Sequence, residues 1–136
     1  MPASNSFWVH AEVDPASLAV NIKNLSNDHL PTSVKQAQGD LIYEIKKHLI
    51  PQEGEKGDDL DWLNGADGKI FRVKMEFGFL SDRSDIDGPI KRVLDALQKA
   101  IVARGYHWND AMVYDLWVLK YLTRHPSTHI TVEEME

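Results

Sequence analysis

Asp85, Asp87, Lys91 and Asp110 are the residues whose types and spacing suit phosphate and divalent-cation chemistry. Hard cations take carboxylate oxygen, and magnesium tends to use one or two protein carboxylates, filling its shell with water and substrate phosphate. Asp85 and Asp87 form an acid pair across Ile86, Lys91 follows one helical turn later, and Asp110 comes from the turn Trp108-Asn109-Asp110. Asp110 completes a three-acid centre if the fold returns it to the pair. A plainer reading stands beside this one with about equal weight. Asp87 caps a helix, Asp110 is a turn residue, and Asp87, Lys91 and Asp95 form a solvated ladder contributing about 0.2–0.5 kcal/mol per pair. Asp85 favours the chemical reading, because it lies outside the helix and has no capping duty.

The elements that must position these residues are legible on either side of them. In residues 70–80, Phe71, Val73, Met75, Phe77 and Phe79 alternate with Arg72, Lys74, Glu76 and Gly78, the period of a half-buried strand. Asp87-Gly88-Pro89 then opens a run with Ile90, Val93, Leu94, Leu97 and Ile101 at helical spacing, which predicts Asp87 at the N-cap and proline in the first turn. Arg104-Gly105 supplies the stop, glycine being suited to the left-handed cap.

Residues 84–119 resemble the RusA family of Holliday-junction resolvases. The resemblance is carried by Asp85-Ile86-Asp87, Lys91, Asp95-Ala96-Leu97, Gly105, Asn109-Asp110 and Val113, in the family's order. The sequence departs from the family pattern at Gly88, where asparagine is usual, and at Asn109, where the first of two acids is usual. Only Arg83 stands for the arginine-rich stretch that often precedes the first acid. Upstream, only the order of elements agrees. The resemblance implies a homodimeric crossover-junction endodeoxyribonuclease acting on four-way DNA junctions in recombination and repair. It implies magnesium, with manganese as a substitute, held by Asp85, Asp87 and Asp110, with Lys91 countering charge on the scissile phosphate. The exposed apolar members of residues 112–121 are candidates for the dimer contact.

The chain has 136 residues, 43% of them hydrophobic, enough for one core and one domain, residues 1–136. It has no cysteine, so disulfides and thiolate metal sites are excluded, and no apolar run approaches the roughly 20 residues that span a bilayer. The opening residues do not read as a secretory signal, and a cytoplasmic address is expected. The net charge of −6 runs against a generic nucleic-acid coat, which depends on lysine and arginine to neutralise phosphate. Arg72, Lys74, Arg83, Arg92 and Lys120 are expected as a positive margin around the acidic centre. A noncatalytic branched-DNA-binding protein and an acidic protein-interaction domain are the alternatives.

Along the rest of the chain, residues 7–13 read as a strand. Ser33 to Gln36 fits a capping box, and Val34, Ala37, Leu41, Ile42, Ile45 and Leu49 mark a helix stopped by Pro51. Residues 52–69, with Asp58, Asp59 and Asp61, read as a mobile loop that lacks the EF-hand spacing. Residues 112–121 read as a strand and residues 129–133 as a short closing strand pairing at an edge. Pro126 argues against a helical zinc pair of His125 and His129, and His107 reads as a loop residue. Trp8, Trp62, Trp108 and Trp117 read first as core or interface packing, with stacking on an unpaired base the lesser alternative and Trp108, beside Asp110, the one to test for it. The order β-α-β-α-β-β predicts an α+β domain, a mixed sheet packed with two main helices.

Overall fold

Strand β2 (Ile70–Phe79) is the spine of the fold because its five alternate apolar residues all face a helical layer. Phe71, Val73, Met75, Phe77 and Phe79 are buried, as their period requires. The computed structural model of the chain describes residues 5–18, 32–49, 60–65, 68–83 and 86–135. Within them, β1 (Ser6–Ala11), α1 (Thr32–Leu49), β2, α2 (Asp87–Ala103), β3 (Val113–Leu122) and β4 (Ser127–Met135) give the α+β architecture that the sequence predicts. The four strands form one mixed sheet in the order β1-β4-β2-β3, with β2 and β3 parallel and the other pairs antiparallel.

Both helices lie on one face of the sheet. Val34, Ala37, Leu41, Ile45 and Leu49 of α1 and Val93, Ala96, Leu97, Ala100 and Ile101 of α2 turn their apolar stripes inward and bury them. From the sheet, Val9, Ala11, Ile130 and Val132 join the β2 residues in the same core.

The ends of α2 show how local chemistry sets its length. Gly105, at φ +104°, lies in the left-handed region, with its N–H bonded to the Val102 carbonyl and the Tyr106 N–H bonded to Ile101. That is the doubled cap of a Schellman motif, and the expected glycine stop holds. At the other end the N-cap is Ile86, with helical dihedrals and no side-chain cap, so Asp87 is the first helical residue rather than the cap. Its carboxylate still lies at the positive end of the helix dipole.

Two expectations about the sheet and its loops change. The closing strand is long and central, because Thr128, Ile130 and Val132 alternate into the core while His129, Thr131 and Glu133 face away from it. Its polar half obscured its length in the sequence. Part of the loop in residues 52–69 is anchored: Leu60, Trp62 and Leu63 are buried, the last two in a 3-10 turn over Asp61–Leu63. Asp58 and Asp59 lie outside the described residues.

Gly78 marks a close approach. It pairs with Tyr121 across β2 and β3, and a Cβ there would lie 2.9 Å from the Tyr121 ring and 2.7 Å from the Thr123 methyl. The Tyr121 hydroxyl also hydrogen-bonds Ser127 at 3.1 Å, so the ring has a bond to lose by moving. Gly78→Ala is expected to destabilise the protein by about 1–3 kcal/mol, the usual cost of overpacking, read as a lower urea midpoint with unchanged slope.

Candidate functional site

The segment that carries the acids is a β2–α2–β3 crossover, and its geometry follows from the parallel pairing. β2 runs outward, α2 returns the chain, and β3 starts again beside the beginning of β2, with Val113 opposite Phe71 and Leu122 opposite Phe79. Asp87 therefore lies beyond the C-terminal end of β2. Asp110, in the 3-10 turn Asp110–Met112, lies at its N-terminal end. Ten residues of strand separate the two ends, roughly 30 Å at about 3.3 Å per residue. The expected meeting of Asp110 with Asp87 does not occur within one chain, because a parallel crossover returns to the start of the strand it left. Among the described residues, no three His, Asp or Glu side chains form a group suited to hold a metal ion. Asp85 lies outside the described residues.

Each end has its own surroundings. At the outlet of β2, Asp87 and Lys91 are both exposed, one turn apart on α2. Lys120 of β3 reaches the connection, donating to the Asp82 carbonyl at 2.6 Å, and its ammonium lies over the Phe79 ring. At the other end, Asn109 caps the turn with its side chain, which accepts from the Ala111 N–H at 2.9 Å, leaving Asp110 exposed. Below it, Phe7, Trp62, Phe71 and Trp108 form a chain of tilted ring contacts at 6.0–6.5 Å. Trp108 is thus a core residue, 1% exposed, and not a stacking platform. His107 is an exposed loop residue whose carbonyl accepts from the Gly65 N–H at 2.7 Å.

The anticipated positive margin is largely neutralised. Arg72 bonds Asp115 at 2.6 Å and Glu133 at 3.4 Å, its register partners on the neighbouring strands, and Lys74 lies 3.2 Å from Glu133. Arg72 and the Trp117 indole N–H together hold the Asp115 carboxyl below its usual range, with partial desolvation opposing them. Arg92 is buried against α1, where its carbonyl accepts from Gln38, and its guanidinium faces Asp95 at 3.6 Å. Of the five expected cations, Arg83 is exposed on the turn after β2.

Sequence reading missed what the sheet assembles on its uncovered face. The pairing aligns Trp8, Thr131, Lys74 and Trp117 in one transverse row, and His10, His129, Glu76 and Leu119 in the next. Trp8 and Trp117 are the exposed tryptophans, at 64% and 58%. The partners are distant in sequence, so no spacing rule finds them; alternation within each strand gives only the face. His10 Nδ1 lies 2.6 Å from His129 Nε2. Burial, then His10, hold the His129 imidazole below its ordinary value of 6.5, with Glu76 pulling the other way.

A pH dependence follows. Below pH 6.5 the unfolded chain takes up a proton at this position that the folded chain resists, so His129 costs no stability above that pH and progressively more beneath it. Urea midpoints are expected to fall between pH 7 and pH 5, and His129→Gln to flatten that slope. An unchanged slope in the variant would assign the acid sensitivity elsewhere.

Neither the family models nor the curated proteins compared with this chain match it. No helix among the described residues is long and apolar enough to cross a membrane.

Proposed function

We propose that the protein is a magnesium-dependent, structure-selective endodeoxyribonuclease that resolves four-way DNA junctions in recombination and repair, acting as a homodimer in the cytoplasm. The observation that carries this reading is the ordered acid, acid, lysine and acid pattern of residues 84–119, resembling the RusA family and set on a strand–helix–strand unit. Exposure of Asp87, Lys91 and Asp110 supports it, since each is accessible to a DNA backbone. Asp85 and Asp87, joined by Asp110 of the partner subunit because the two ends of β2 stand apart within one chain, are the proposed ligands for magnesium, or manganese in its place. The metal would supply Lewis-acid polarisation and an activated water. Lys91 offsets negative charge gathering on the scissile phosphate. Paired cuts need two equivalent centres, which a two-fold dimer provides.

Two observations favour a second reading, a noncatalytic branched-DNA-binding protein: the separation of Asp87 from Asp110 within one chain, and the consumption of Arg72 and Lys74 by acids. Incubating the purified protein with an end-labelled synthetic four-way junction and a matched duplex, across a magnesium titration, separates them. Metal-dependent symmetric incision of the junction supports the nuclease, and selective binding without cutting supports the second reading. Equal indifference to junction and duplex overturns both and leaves an acidic protein-interaction domain.

A further inference from the structure

The uncovered face of the sheet brings together two imidazoles that the nuclease reading does not use. β1 lies at an edge of the sheet, where it pairs with β4, and the antiparallel register sets His10 directly opposite His129. The rings meet edge to face, at 75° with centroids 4.0 Å apart. His10 Nδ1 lies 2.6 Å from His129 Nε2 and 3.3 Å from its Nδ1. Two imidazolium rings repel strongly at that distance, so at least one ring of the pair offers a lone pair. His10 is exposed and His129 partly so, which leaves the pair open to solvent.

We propose that His10 and His129 form a two-imidazole site for a divalent cation of the zinc class, and that the bound ion clips the edge strand β1 to β4. Imidazole nitrogen suits zinc, copper and nickel, whereas magnesium seeks carboxylate and water oxygen. The site therefore selects a different metal from the acids at the two ends of β2, and it shares no residue with them. With zinc–nitrogen bonds of about 2.0–2.1 Å in tetrahedral geometry, the two ligand nitrogens stand about 3.3 Å apart. From the observed 2.6 Å, His10 Nδ1 and His129 Nε2 need to open by only roughly 0.7 Å, within reach of a small side-chain rotation. The hydrogen now shared between them moves to the other nitrogen of its ring, so both rings bind as neutral ligands.

The surroundings suit a cation held by two protein nitrogens and water. Among the described residues no third metal-binding side chain is in place, so water completes the shell. A recess of about 210 Å³, lined in part by Trp8, Lys74, Glu76, His129 and Thr131, opens beside the pair and has room for it. Glu76 is the register partner of His129 on β2, and its carboxylate acts on that ring, so it adds favourable charge beside the ion. Lys74 stands one row away with its ammonium 3.2 Å from Glu133, which offsets its repulsion. Because strand register already orients both ligands, binding orders little that is not ordered beforehand. An ion that binds the folded pair and not the separated strands stabilises the fold by mass action.

The test titrates the full chain, free of any histidine tag, with zinc chloride in a non-chelating buffer at neutral pH. Calorimetry is expected to show one ion per chain at micromolar affinity, with excess magnesium failing to compete. In nitrogen-15 spectra of the imidazoles, His10 Nδ1 and His129 Nε2 are expected to shift first, and zinc is expected to raise the urea midpoint. His10→Gln and His129→Gln should each weaken zinc binding at least about tenfold, since losing even an outer-shell partner costs a metal site that much, and should cancel the rise in midpoint. His125→Gln, on the turn before β4, should change neither. Absence of zinc binding at micromolar concentration, binding that survives both the His10 and His129 variants, or displacement of zinc by magnesium overturns the site. Should a glutamine variant fold poorly, the wild-type nitrogen-15 spectrum decides: zinc shifts confined to other imidazoles overturn the proposal as well. None of these readouts depends on DNA cutting, so the site stands or falls apart from the nuclease reading.

Discussion

Asp87→Asn is expected to remove magnesium-dependent junction cutting by more than about a hundredfold, the upper end of what loss of a mere outer-shell partner costs a metal site. The substitution keeps the shape of the side chain and deletes its charge, so affinity for a hard cation falls while the surface barely changes. Folding should hardly register it. Asp87 is exposed in the first turn of α2, where the helix dipole makes an acid worth about 0.3–1 kcal/mol. The expected pattern is therefore lost cutting with a nearly unchanged urea midpoint, measured on one preparation. If the variant and the wild type cut equally well, Asp87 has no part in the chemistry and the proposed centre is wrong.

The largest effect on stability is expected at Trp108. Its ring is fully buried against Phe71 at the end of the sheet that carries Asp110, and the neighbouring His107 backbone is tied to Asn64 and Gly65. Trp108→Ala removes a large side chain from a site whose walls are themselves held, so the cavity collapses poorly. The expected loss is about 3–5 kcal/mol, or roughly 10–20 °C in Tm for a domain of this size. Trp108→Phe should retain most of the stability. The indole N–H meets no acceptor among the described residues, so the phenyl ring gives up no hydrogen bond to them. A fall as large for phenylalanine as for alanine would mean that the N–H has a partner and that this bond, rather than packing, fixes the ring.

Local pattern was most reliable where one face of an element carries all the burial. The alternation of Phe71 to Phe79 and the helical stripe from Val93 to Ile101 name their elements, and Gly105 names a stop, because sterics and burial act there over a few neighbouring residues. β4 was harder to read. Half its side chains lie on the uncovered face and are polar, so the apolar signal is thin even though the strand is central. The packing reading of the tryptophans holds at Trp108, whose proximity to Asp110 in sequence says nothing about which way its ring turns after a helix cap.

The sequence by itself determined the α+β order of elements, the inward faces of β2, α1 and α2, and the presence of an acid at each end of one strand–helix–strand unit. Only the tertiary structure decided that these acids stand apart. α2 has 17 residues at about 1.5 Å each, so it carries the chain roughly 25 Å back before β3 begins parallel to β2. Tertiary pairing also decided that Arg72 would be spent on Asp115 and Glu133, and that His10 would meet His129. Those contacts join residues from different strands, and strand register, which no local propensity encodes, sets which of them face each other.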